Sequence, residues 1–399
     1  MADRGFDLDE RVAGGETERP TLAPADRVGA RRYAAAPPGG ELPVLERAEE
    51  LVFASNNYLG LTSDGRVQDA ARRAAAVVGT GAGASRLATG DTLVHHDVER
   101  LLAETLGTDR ALVFPSAYAA AVGTIAALEP DVVFVDEASH ARVVDGCRLA
   151  GSAVVRYDHC DADALRAAMA DRAERATADE SWLVVTASVF GADGAVAPLR
   201  AICDAADAVG AWVLVDESHA VGLYVDGGGI VQAEGLDARV QVQLGSLSTA
   251  LASQGGYVAG DDALIERLLA SARPFAHSAG LAPTSAAAAS EALHLARHTD
   301  VRERLWDNVA HLRDGLETMG YTVLGEAPFL PVAVGNRRDA LALADGVRER
   351  GAVTRPIVPP TVPAGASRVR VSPMASHDHD EIVTCLEAFQ ATGEELGLL

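Results

Sequence analysis

Apolar residues follow two rhythms along this chain. Unbroken apolar runs at residues 111–114, 132–135, 182–185 and 211–215 read as strands buried on both faces, since a strand covered by helices on each side has no polar face to show. Between these runs, over 97–106 and 161–176, apolar residues return at helical spacing and predict amphipathic helices. Alternating strands and helices point to an α/β domain around a mostly parallel sheet. Beyond residue 285 the pattern changes: helices over 286–298 and 301–319 lead into short strands at 321–324 and 330–334, the makings of a smaller α+β domain. The expected organisation is an arm over 1–48, a large domain over 49–285 and a small domain over 286–399. Rich in Gly, Pro, Ala and charge, the arm is expected to be partly disordered or wrapped on a partner subunit.

Composition narrows the classes of function. The 399 residues, 48% of them hydrophobic, suffice for two cores. With 57 acidic against 34 basic side chains the formal charge is −23, which repels nucleic acid and anionic membranes, so neither is an expected partner. Asp3, Arg4, Asp7, Asp9 and Glu10 speak against a secretion signal, and no apolar run is long enough to span a bilayer. Cys147, Cys160, Cys203 and Cys385 lack the spacing of a zinc site or a disulfide framework; no metal is expected, and the pattern fits a reducing cytoplasm. Every basic residue counted is an arginine. The chain contains no lysine.

Candidate chemistry gathers where buried runs end. Pro115-Ser116-Ala117-Tyr118 opens a helix after a strand, and a helix N-terminus with unpaired N–H groups suits a phosphate. Ser139-His140-Ala141 follows the strand at 132–136; His140 offers either a base or a helix cap. Asp216 ends the run at 211–215 with His219 three residues on, a polar pair that serves a ligand or is satisfied within the scaffold. Ser188 is a weak nucleophile candidate without a visible base.

Taken in order, Ser55-Asn56-Asn57-Tyr58-Leu59-Gly60-Leu61, the glycine-rich Gly79 to Leu87, Ser139-His140-Ala141, Val215-Asp216-Glu217-Ser218-His219, Gly245 to Tyr257 and Ser367-Arg368-Val369-Arg370 resemble the α-oxoamine synthases. These pyridoxal-phosphate (PLP) enzymes join an acyl thioester to an amino acid, and the resemblance covers about residues 50–385. It implies a type I PLP transferase fold, normally a dimer with sites at the subunit interface. It also implies a cofactor cup at Ala117 and Tyr118, His140 stacked on the pyridine ring, Asp216 on the ring nitrogen and His219 on the phenolic oxygen. Ser246 is implied at the phosphate, with Asn57 and Arg368 on the substrate; an exposed strand arginine remains the alternative for Arg368. At the place of the Schiff-base lysine this chain has Thr249, and Ala117, Ala121, Ala187 and Ala279 replace other family side chains.

A hydroxyl cannot form an imine, and a guanidinium is a poor substitute. The expected cofactor state is therefore no covalent PLP, with noncovalent PLP left open. Three readings follow. The first is an acyltransferase moving an acyl group from a CoA or carrier-protein thioester to a small amine or hydroxyl acceptor, with His140 or His219 as base and Asp216 orienting it, in a homodimer. The second is a catalytically silent subunit beside a lysine-bearing relative. An engineered lysine-to-threonine form ranks last, because one substitution does not explain the four alanines.

Overall fold

The computed structural model describes residues 29–33, 49–177 and 179–399. The body of the arm, residues 1–28 and 34–48, lies outside the described residues. A seven-stranded sheet forms the centre, in the spatial order Arg110–Phe114, Gly256–Gly260, Val242–Ser246, Trp212–Asp216, Trp182–Ala187, Val132–Asp136, Ala153–Tyr157. Gly256–Gly260 runs antiparallel to both its neighbours and every other pairing is parallel. The four apolar runs seen in the sequence are four of these strands; Ala153–Tyr157, Val242–Ser246 and Gly256–Gly260 are additional. Val132–Asp136 and Val242–Ser246 are buried at every residue, as helices on both faces require.

Most predicted helices form with small boundary changes: Leu93–Leu106, Ala162–Ala173, Pro283–His298 and Val301–Met319. The expected strand at 321–324 is only a single bridge, Val323 opposite Val332. Leu324 N–H to the Pro331 carbonyl and Ala333 N–H to the Thr322 carbonyl, each 2.9 Å, close that bridge, while the Tyr321 hydroxyl donates to the Phe389 carbonyl at 3.0 Å in the core.

In the C-terminal part, Leu330–Gly335, Ser367–Val371 and Arg355–Ile357 make an antiparallel sheet. A further small sheet pairs Glu49–Val52 with Ala352–Val353 and with Arg31–Tyr33. Thus Arg31–Tyr33, within the expected arm, and the first strand of the expected large domain both pair into the C-terminal lobe. Arg31 adds an ion pair to Glu381 there.

A basic cavity at the strand ends

Three adjacent parallel strands, Val132–Asp136, Trp182–Ala187 and Trp212–Asp216, deliver their carboxyl ends to one cavity, the usual place for a ligand in such folds. Asp216 and Ala187 are the last residues of adjacent strands and face each other in register. His219 lies in the turn beyond Asp216, and His140 caps the helix Ala141–Ala150 that follows Val132–Asp136. With Asn56, Arg355 and Arg370 from the C-terminal side, they line a cavity of about 510 Å³. Asp216 is the sole acidic residue among its walls, against three arginines, Arg142 included. In a chain of net charge −23 this is a local inversion of sign.

Asp216 contacts neither histidine. Its Oδ2 accepts from Arg142 Nη2, and its Oδ1 accepts the Ser218 backbone N–H at 3.0 Å. Burial opposes its charge, yet the Arg142 guanidinium and the hydrogen bonds from Ser218 and Arg142 hold the carboxyl below the ordinary aspartate range. The expected Asp216–imidazole pair is thus replaced by a buried ion pair. Arg142 Nη2 also donates to Ser218 Oγ at 3.1 Å.

A second chain of contacts fixes His219. Arg370 Nη2 donates to Tyr58 Oη at 2.7 Å and to Asn56 Oδ1 at 2.7 Å, while its guanidinium lies 3.7 Å over the Phe329 ring. An arginine can only donate, so the Tyr58 proton is left for His219 Nδ1, 2.7 Å away. That makes His219 the tautomer with its proton on Nε2. Burial, then the Arg370 charge, drive the imidazole well below its ordinary value, and it stays neutral. Gly191 is what leaves Nε2 its room, since a Cβ there would lie 2.8 Å from it. Among the described residues Nε2 has no partner. His219 therefore presents a donor, not a base.

His140 meets a similar constraint. Its Nδ1 accepts the Arg142 backbone N–H at 3.2 Å, so the neutral ring carries its proton on Nε2. Burial, then the Arg142 charge, lower its pKa. The helix-cap alternative and a place on the cavity wall are both realised.

The remaining expected site residues divide. Thr249 is buried and donates its hydroxyl to the Ser218 carbonyl at 2.8 Å, while Ser246 pairs with Ser248 Oγ at 2.7 Å; both lie near the strand ends but not on the cavity wall. Ala117 starts the helix Ala117–Leu128, where Ser116 supplies the cap, and its backbone packs against Gly256. Tyr118 is half exposed and bonds Asp145 at 2.9 Å. Neither touches the cavity. Ser188 is fully buried, donates to Glu217 Oε2 at 2.8 Å and is not on the cavity wall, which removes it as a nucleophile. Asn57 turns to Thr62 Oγ1 at 2.8 Å, leaving Asn56 in the cavity, because the chain bends here, with Tyr58 N–H on the Asn56 carbonyl at 2.9 Å and Gly60 N–H on the Asn57 carbonyl at 2.8 Å. Arg368 bonds the Ala366 and Ala192 carbonyls, while Arg370, two residues on along the same strand, reaches the cavity in its stead.

Arg142, Arg355, Arg370 and Asn56 are the contributors that reading the sequence for a role missed. One signal was available for Arg142: a cation in the first turn of a helix opposes the helix dipole and calls for a carboxylate partner. Elsewhere, Asp136, His159 and Cys160 bring ligand-type atoms within 4.8 Å of one another. There His159 bridges Asp136 at 2.8 Å and Asp193 at 3.1 Å, and these hydrogen bonds raise its pKa to about 12, so the group is held together as an ion pair.

The aminotransferase class I and II model matches residues 48–389. Among similar curated proteins, 8-amino-7-oxononanoate synthase of Anaeromyxobacter dehalogenans (strain 2CP-1 / ATCC BAA-258) is 43% identical over 348 residues, 86% of each chain. The chain belongs to the α-oxoamine synthase family. Another member, 8-amino-7-oxononanoate synthase of Symbiobacterium thermophilum, is 38% identical over 89% of this chain and 91% of its own length. Of solved α-oxoamine synthase structures, Sphingomonas wittichii serine palmitoyltransferase superposes with a TM-score of 0.90 at 28% identity, over all of both chains. A lysine-to-alanine variant of the S. paucimobilis enzyme with bound PLP–myriocin aldimine gives 0.87 at 28%, covering 98% of this chain and 96% of its own. The architecture is thus the type I PLP transferase fold. Among the described residues, no helix is long and apolar enough to cross a membrane.

Proposed function

We propose that this chain is an acyltransferase that takes an acyl group from a CoA or carrier-protein thioester and passes it to a small amine without a lysine Schiff base. The observation that carries the reading is the fate of the Schiff-base position. Thr249 occupies it, its hydroxyl is spent on the Ser218 carbonyl, and the chain has no lysine to take its place. The residues present do not fit PLP as an internal imine, so no step runs through the cofactor. The cavity nevertheless stays open and cationic.

What the chain's own groups can supply is positioning and a donor. His219 Nε2–H, fixed by Tyr58 and kept neutral, suits the oxyanion that forms when a nucleophile adds to a thioester carbonyl. Arg370 and Arg355 face each other across paired strands, like charges at opposed positions that an anionic substrate group would stabilise. A carboxylate on acceptor or acyl chain fits there, with Arg370 in the role first expected of Arg368. Because both Nδ1 lone pairs are taken, no base stands ready. A hydroxyl needs one to become a nucleophile, whereas an amine need only arrive uncharged, so the geometry favours the amine. A homodimer in the cytoplasm remains part of the proposal.

The capped lone pairs also favour a second reading, a silent subunit that pairs with a lysine-bearing relative. Purified protein, freed of PLP, is to be incubated with acyl-CoA or acyl-carrier thioesters and small amines while free thiol is measured. Thiol release and acyl-amine product from this chain alone support the acyltransferase. Product that appears only after adding a lysine-bearing relative overturns it in favour of the silent subunit.

A further inference from the structure

Arg142 stands where its charge is unwelcome. It lies in the first turn of the helix Ala141–Ala150, at the positive end of the dipole, and its side chain is only 12% exposed. Neither condition favours a guanidinium unless a carboxylate compensates it. The compensation is Asp216, which it reaches through Nη2, the nitrogen that also donates to Ser218 Oγ. Its Nε is buried without a partner among the described residues, so the fit is not made for hydrogen bonding alone. Asp216 is the residue that, by the family resemblance, meets the protonated nitrogen of the pyridine ring.

A single buried carboxylate oxygen cannot hold two cations at one spot. We infer that Arg142 is a built-in substitute for the pyridinium: it neutralises Asp216 from within the chain, occupies the contact the ring nitrogen would make, and closes the ring site to PLP whether covalent or free. This explains why Asp216 survives in a site that has lost its lysine. The carboxylate is needed by Arg142, and the cavity keeps its net positive charge for an anionic substrate. The missing lysine is then only one of two barriers to cofactor binding, and replacing it does not restore binding. None of this rests on the acyl-transfer reading, because cofactor uptake is read without turnover.

The test compares wild type, Thr249→Lys, Arg142→Ala and the double variant in the full-length protein. Each is titrated with PLP, followed by thermal shift and visible absorption, then treated with borohydride and weighed intact. In a competent site the new amine condenses with the aldehyde, releasing water, and borohydride delivers hydride to the C=N bond, fixing the cofactor mass on the chain. Wild type and Thr249→Lys are expected to show no PLP uptake in the concentration range that saturates Arg142→Ala. Arg142→Ala should bind it noncovalently on the order of 100-fold more tightly than wild type, about what exchange of one buried cation for another allows. Only the double variant should show the fixed adduct. An adduct on Thr249→Lys, or wild-type binding as tight as that of Arg142→Ala, overturns the inference. Since Thr249→Lys keeps the Arg142–Asp216 pair, it remains decisive even when Arg142→Ala fails to fold. Recovery of the thermal midpoint of Arg142→Ala by PLP alone is the supporting sign that the ring nitrogen has taken the vacated place.

Discussion

Replacing Tyr58 by phenylalanine removes one oxygen and nothing else from a fully buried side chain. That oxygen accepts from Arg370 and donates to His219 Nδ1, each at 2.7 Å. The first is a hydrogen bond from a charged donor, worth about 1.5–3 kcal/mol, and the second a neutral one, worth about 1 kcal/mol. Ring packing on Phe329, at a centroid distance of 6.3 Å, is retained. Tyr58→Phe should therefore lose about 2–4 kcal/mol of stability, seen as a lower denaturant midpoint at unchanged slope. The same change frees His219 Nδ1 to take the proton. Two-bond ¹⁵N–¹H correlations of labelled histidine should show the proton on Nε2 in wild type and a mixture in the variant, with a lone pair newly facing the cavity. A variant within about 0.5 kcal/mol of wild type, with an unchanged tautomer, would refute the Arg370–Tyr58–His219 relay and the donor role assigned to His219.

Two further outcomes follow from the packing and the buried charges. A Cβ on Gly256 would lie 2.4 Å from Ala117 Cα and 2.5 Å from its nitrogen, backbone atoms that cannot step aside, so Gly256→Ala should cost about 3 kcal/mol or more. Gly81→Ala, with nothing within 4 Å of the added carbon, should stay near wild type in the same thermal melt. His377 is buried against Phe53, with ring centroids 4.1 Å apart, and burial lowers its pKa to about 4. Its contribution is present above the unfolded value near 6.5 and is lost as pH falls toward 4, where the unfolded chain takes a proton that the native ring refuses. That drop is worth about 3 kcal/mol, and unfolding measured from pH 7 to 4.5 should show wild type losing its advantage over His377→Gln.

The sequence by itself marked four of the seven strands of the central sheet and the helices near 97–106, 161–176, 286–298 and 301–319, because a strand buried on both faces must be apolar throughout and a surface helix must repeat its apolar face; Ala153–Tyr157, Val242–Ser246 and Gly256–Gly260, partly exposed or interrupted by Gln243 and glycines, escaped that pattern. It also determined that Thr249 cannot do a lysine's chemistry, since that follows from composition and covalent chemistry without coordinates. What it could not decide was which of two neighbouring polar residues faces the cavity. Asn56 rather than Asn57, and Arg370 rather than Arg368, were chosen by the twist of a segment and the depth at which a strand meets the site. Ser188 shows the same limit, for its chain position beside the site says nothing about which side of the strand its hydroxyl takes. The roles of the histidines lay furthest from the sequence. A lone pair is free or spent according to a donor 161 residues away, as Arg370 through Tyr58 decides for His219, and only the folded chain brings those groups within 3 Å. Arg142 belongs to both levels: its place in a helix's first turn is written in the sequence, but its partner, 74 residues further on, is given by the parallel sheet that sets two strand ends over one cavity.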